Sequence, residues 1–251
     1  MHPDTGDRLD PGSPVLQVRR AADRATTRTT WLWSRHSFSF GRHYDPANLS
    51  FGLLLAANEE VLQPAAGFPE HPHRDIEILT WVLAGELVHE DSSGRHTMVR
   101  PGVAQLVSAG SGVVHEERNA SAVSPVHFVQ MWVRPAIVGL PSAYAQLDVS
   151  AELDAGGLVA LASGGAGGTA LPLRQADATL YAGRLARGRP VSLPEAPYVH
   201  LYVARGAVHL DGAGPLEAGD AARLTGAGAP LLTAHESAEV LVWAMHAALG
   251  R

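Results

Sequence analysis

Hydrophobic positions in this chain fall in short runs, and the runs read as strands. Residues 76–83 are β-branched, aromatic and aliphatic, and stop at Ala84-Gly85. Residues 126–133 form a second such run, closed by Arg134-Pro135, and residues 198–204 and 240–245 repeat the pattern. Gly and Pro punctuation recurs about every ten residues, as in sandwiches and barrels. Amphipathic helical periodicity is scarce, so the fold class expected is all-β. The Gly/Ala-rich stretch 156–168 is expected to be a flexible hairpin tip, and the apolar run 244–249 a short terminal helix or an interface piece.

The runs also repeat. Trp81-Val82-Leu83-Ala84-Gly85 is echoed by Tyr202-Val203-Ala204-Arg205-Gly206, and Pro101-Gly102 by Ala218-Gly219. A closing strand with tryptophan follows in each half, at Trp132 and at Trp243. Two copies of one antiparallel β-module explain this order, with the boundary expected between residues 135 and 142. A length of 251 residues accommodates two modules of roughly 120.

Composition narrows the chemistry. The chain carries 19 basic and 25 acidic residues, a formal net charge of −6, and no cysteine; every basic residue is arginine. Thiolate nucleophiles, disulfides, iron–sulfur clusters and thiolate zinc sites are thereby excluded, as is Schiff-base chemistry. The acidic balance argues against direct nucleic-acid binding. No run approaches the about 20 apolar residues of a membrane helix. Residues 1–18 are polar and lack a signal-peptide pattern, so a soluble cytoplasmic protein is expected.

The remaining candidates are histidines and carboxylates. His71-Pro72-His73 places two imidazoles on one face of an extended strand, and Pro72, having no amide hydrogen, suits a strand start or edge. Glu77 follows four residues after His73. About 40 residues further on, His115 and Glu117 again share a face, and Glu116 points away. Three imidazoles and a carboxylate from neighbouring strands suit a divalent transition metal with open positions. Strand parity alone admits either Glu77 or Glu117. In the second copy the repeat puts Pro194 and Tyr198 at the positions of His73 and Glu77, and Leu232 and Ala234 at those of His115 and Glu117, so that copy is expected to bind no metal. His89, His96 and His235 read as exposed loop histidines, His127 as hydrogen-bonded and half-buried, and His36 as structural. Among Trp31, Trp33, Phe38, Phe40, Phe51, Trp81, Phe128 and Trp132, most are expected in the core and one or two beside the metal.

The spacings His71-x-His73-x3-Glu77 and Gly112-x2-His115-x3-Asn119 resemble the two cupin motifs. Together with His36-Ser37-Phe38-Ser39-Phe40, Tyr44-Asp45-Pro46 and Glu90-Asp91-Ser92-Ser93-Gly94, they resemble the pirin family of bicupins, densely over residues 31–135 and loosely beyond. The resemblance implies two packed double-stranded β-helix barrels: a metal-binding cupin domain over 1–136 and a cupin domain without ligands over 137–251. It implies His71, His73, His115 and Glu117 as ligands, with Glu77 the rival carboxylate or a group behind the ligands. It implies one divalent metal, Fe(II) first, with Mn, Ni, Cu or Zn as alternatives. Two functions follow. One is a quercetin 2,3-dioxygenase acting on a flavonol and O2, with Glu117 as both ligand and general base. The other is a metal- or redox-dependent module that binds a partner protein. A metal-dependent sugar isomerase fits the aromatic first half less well, and a purely structural metal would usually use cysteine.

Overall fold

The computed structural model describes residues 14–165, 168 and 170–250. Residues 1–13, most of the polar N-terminal segment, lie outside the described residues, as do 166 and 167 within the glycine-rich stretch. The described chain is built almost wholly of strands, with one five-residue helix at Ser150–Asp154 and a 3-10 turn at Ala21–Asp23. Among the described residues, no helix is long and apolar enough to cross a membrane.

Four sheets pair into two barrels. The first large sheet orders Ala143–Asp148, Val103–Ser108, Glu77–Ala84, Val126–Val133, Leu54–Leu62, Leu32–His36 and Ala25–Arg28. A four-stranded sheet faces it: Gly67–His73, Val113–Asn119, Leu87–Asp91 and His96–Val99. The second half repeats the plan. Its large sheet centres on Tyr198–Arg205, Ala238–Met245 and Ala178–Leu185, and Pro190–Ser192, Leu231–Ala234, Ala207–Leu210 and Gly214–Glu217 form its small one. Two strands cross over between the halves. Val15–Arg19 pairs with Ala221–Thr225 in the second large sheet, while Ala143–Asp148 closes the first.

Side-chain alternation decides where each face goes. On the first large sheet Leu79, Trp81, Leu106 and Met131 point away from their own barrel and pack with Tyr202, Leu241 and Trp243 of the second. The two large sheets therefore stack back to back over one apolar layer. Trp81 Nε1 donates to Glu239 Oε1 across it at 2.6 Å. The second barrel is filled with aliphatic side chains: Leu201, Val203, Leu224, Val240 and Val242 meet Val208, Leu210, Leu232 and Ala234. The first barrel has two separate apolar clusters, one around Phe128 and Leu87 and one around Ile78 and Val113. Buried polar groups, among them Glu60, Thr80, Gln105, Gln130 and Glu117, accompany them on the strands of that barrel.

Two local expectations are corrected. Within the stretch 156–168, Gly157–Ser163 is a strand that pairs antiparallel to Ala178–Leu185 and parallel to Leu171–Pro172. Leu158–Leu161 supplies enough apolar side chain to hold residues 157–163 in the sheet, so that part of the stretch is strand and not a flexible tip. The run 244–249 is not helical: Ala244 and Met245 end a strand, and the chain then bends so that the Leu249 amide donates to Gly52 O at 3.0 Å.

Candidate metal centre

The Gly67–His73 strand lies at the edge of the first small sheet, where Pro72 costs no ladder hydrogen bond. It runs antiparallel to Val113–Asn119, with His73 opposite Val113 and His71 opposite His115. A bulge follows: beyond His115 the register slips, so that Glu117 lies opposite Phe68. Along Val113–Asn119 burial alternates strictly. His115 and Glu117 are each 1% exposed, and Glu116 is turned to the other face.

The donor atoms of His71, His73 and His115 lie within 4.8 Å of one another, and so do those of His89, His115 and Glu117. His71 Nδ1 donates to the Pro69 carbonyl at 2.8 Å, which leaves Nε2 with a free lone pair. That atom sits 3.1 Å from His115 Nε2. At metal–nitrogen bonds of about 2.1 Å, atoms so spaced subtend roughly 95° at a shared ion. His73 Nε2 and Glu117 Oε1 are buried and meet no partner among the described residues. Glu117 Oε2 accepts from Gln130 Nε2 at 2.8 Å, and Trp132 Nε1 donates to Gln130 Oε1 at 3.2 Å, so the free oxygen is the one left to act. Lone pairs buried together without donors are unfavourable by themselves and favourable around a cation, so these residues fit a divalent metal.

Proton affinities point the same way. Burial and the neighbouring imidazoles hold His115 down to about 3. Burial, with His71 close by, holds His73 down to about 4. Both are neutral, ligand-ready bases at pH 7. Burial pushes the Glu117 carboxyl up to about 7, against the opposing pull of the neighbouring Gln130 and Gln105 amides.

His89 corrects a sequence expectation. It is fully buried, not an exposed loop residue, because Leu87–Asp91 continues as a strand and sets it opposite Glu117. His89 Nδ1 lies 3.3 Å from His115 Nδ1, and its Nε2 lies 3.3 Å from Asp91 Oδ2. Asp91 is fixed in turn by Ser93 and Arg95. With Asp91 accepting at Nε2, His89 presents its Nδ1 lone pair to His115 Nδ1–H, which fixes the His115 tautomer and aims Nε2 inward.

Glu77 takes no part in either donor cluster. The chain leaves the small sheet after His73, turns a corner in which Asp75 adopts φ +50°, and enters the large sheet at Glu77. The side chain then faces the second barrel. It accepts from Ser108 Oγ at 2.8 Å and from the Arg174 amide at 3.1 Å, while Oε1 stays buried without a partner.

The other histidines fall as follows. His96 and His235 are exposed, and His127 is half-buried against Glu59 at 3.1 Å. His36 is buried, 3.0 Å from Asn58 Oδ1 and 2.9 Å from Thr27 Oγ1.

A cavity of about 370 Å³ opens beside His71, His73 and Glu117. Its walls are Trp31, Phe40, Phe68 and Trp132, with Glu60 and Gln130 as the other polar groups. Trp132 meets His73 edge-on at 5.1 Å and Phe40 at 5.2 Å, and Trp31 meets Phe68 at 5.5 Å. Such walls accept a flat aromatic ring. Phe38 and Trp81 belong instead to the layer between the barrels, and Phe128 to the core of the first. Neither Glu60 nor Phe68 stood out in the sequence, since both look like ordinary members of strands.

Comparison with known proteins gives the same picture. The Pirin family profile matches residues 17–133, and that of the quercetinase C-terminal cupin domain matches residues 160–245. A Mycobacterium tuberculosis protein provisionally named a quercetin 2,3-dioxygenase is 54% identical over 237 residues, 94% of this chain and 97% of the relative. The Escherichia coli K12 protein named quercetin 2,3-dioxygenase is 39% identical over 132 residues, 53% of this chain and 57% of its own. The crystal structure of a bacterial pirin from Escherichia coli in complex with nickel(II) superposes with a TM-score of 0.86 at 30% identity, covering 93% of this chain and 100% of that one.

Proposed function

The chain belongs to the pirin family of two-barrel cupin proteins, and from that premise we propose that its first barrel is a dioxygenase centre of the quercetin 2,3-dioxygenase type. We assign His71, His73, His115 and Glu117 as the ligands of one metal, iron(II) first, with manganese, nickel, copper and zinc as alternatives of similar donor preference. The metal chemistry we give to residues 1–136, and the role of a ligand-free partner barrel to residues 137–251. The supporting observation is one juxtaposition: His115 belongs both to a cluster with His71 and His73 and to one with His89 and Glu117, and His71, His73 and Glu117 line an aromatic-walled cavity of about 370 Å³.

When bound, the metal supplies a Lewis-acid seat for the enolic oxygen of a flavonol and an electron path to dioxygen. The chain's own residues do the rest. Trp31, Phe40, Phe68 and Trp132 hold the planar ring system. Gln130 pins Glu117 Oε2, which leaves Oε1 as the atom that takes the enolic hydroxyl proton. The second reading, a metal-dependent docking module, calls for a shallow site ringed by charge, which the aromatic walls do not provide.

The test is turnover by protein loaded in turn with iron, manganese, nickel and copper. Aerobic loss of quercetin absorbance, matched by dioxygen uptake, is expected with at least one metal. Fully loaded protein inert with all four would contradict the proposal.

A further inference from the structure

The aromatic cavity is lined by a second carboxyl, Glu60, that the chemistry above leaves unused. Glu60, on the Leu54–Leu62 strand, is 5% exposed. It lines the cavity and also a second one of about 370 Å³ that leads past Ser34, His36 and Arg42. Phe40, Glu60 and Phe68 are common to both, so the two spaces adjoin at this side chain. Glu60 Oε1 accepts from Ser34 Oγ at 3.1 Å. Oε2 is buried and meets no partner, and Glu60 forms no ion pair among the described residues. A carboxyl group needed only to fill space would cost less as an apolar side chain, and one needed only for Ser34 would serve as an amide.

We propose that Glu60 is a specificity-determining residue of the ligand site: its Oε2 pairs with a hydroxyl of a planar phenol other than the one that faces the imidazole cluster. A hydroxyl is the group that suits this position, since it can donate to a carboxylate or accept from a carboxylic acid. The preferred ligand class is therefore an aromatic with two separated oxygen functions, one for the metal centre and one for Glu60. A monohydroxylated ring leaves Oε2 unpaired when it displaces solvent from the cavity. The inference rests on the cavity being a phenol site, and does not require that the bound phenol be oxidised.

The experiment compares quercetin with 3-hydroxyflavone, which keeps the enolic oxygen and lacks the other ring hydroxyls. Both are titrated anaerobically into metal-loaded protein, with tryptophan fluorescence as the readout. Wild type is expected to prefer quercetin by at least about tenfold, because a buried polar group rejects a ligand that leaves it unpaired. Glu60→Leu should bring the ratio close to one by weakening quercetin alone, with metal content unchanged. Glu60→Gln, which keeps both donor and acceptor capacity, should retain part of the preference and decides the matter if the leucine variant does not fold. Wild type without a preference, or a ratio unmoved by either variant, overturns the proposal. A preference that depends on Glu60 in a protein without dioxygen-dependent turnover sinks the dioxygenase reading and leaves this one standing.

Discussion

Burial holds the His73 and His115 imidazoles neutral at pH 7, while it pushes the Glu117 carboxyl up to about 7. Glu117 is held up to about 7 by burial, so a metal bound by it as proposed must displace its proton below that pH. Metal affinity should fall about tenfold per unit as pH drops below 7 and level off above it. Chelator competition between pH 5.5 and 8.5 would show this, and Glu117→Gln should flatten the curve while weakening binding. The same shift sets the stability of the metal-free protein. Glu117 and Glu60 have folded values near 7 and 8, above an unfolded value near 4.5. Their contribution is therefore fully present below about 4.5 and is lost as pH rises through 7 and 8. Thermal midpoints of apo protein should decline over that window, and metal should reverse the part due to Glu117. His89 acts through His115. Replacing it with Phe keeps the volume and removes the acceptor, and metal affinity should drop about 10- to 100-fold with the fold retained. The shared faces of His71 and His73 and of His115 and Glu117 were legible because they depend on local parity. His89 was not, because its burial depends on a strand that continues one turn-like segment further than its sequence suggests.

At the scale of the element, the bulge between the Gly67–His73 and Val113–Asn119 strands gives the centre its shape. Gly67 sits where the two strands press together: a Cβ there would come within 2.5 Å of the Glu117 carbonyl and 2.7 Å of Arg118 Cβ. Gly67→Ala must push the strands apart beside Glu117. A loss of about 1–3 kcal/mol is expected, with weaker metal binding, measured by denaturant unfolding and metal titration side by side. Full stability in this variant would show that the strands tolerate the shift. The corner at residues 74–76 explains the ambiguity between Glu77 and Glu117. Period-two counting assumes one continuous strand, and the turn at Asp75 resets it. What the sequence could not carry was the change of sheet.

The whole molecule is two barrels sharing one apolar layer, and each large sheet borrows a strand from the other side of the 136/137 division. Arg20 reinforces the exchange with an ion pair to Asp220 at 2.7 Å, and Arg205 donates to the Leu83 carbonyl. Fragments 1–136 and 137–251 should each fail to fold alone, and the intact chain should unfold in one cooperative transition by calorimetry. A stable, metal-binding 1–136 fragment would contradict this coupling. The internal repeat made the two-barrel plan legible, and it also located Leu232 and Ala234, both buried in an aliphatic core where the first barrel has His115 and Glu117. The strand exchange was not legible, since pairing between distant segments leaves no periodic trace. The central claim is that this protein inserts dioxygen into a flavonol at the first barrel. Turnover of quercetin under 18O2, with mass spectrometry of the organic products, tests it most directly. Both labelled oxygen atoms are expected in the products, and their absence would contradict the account.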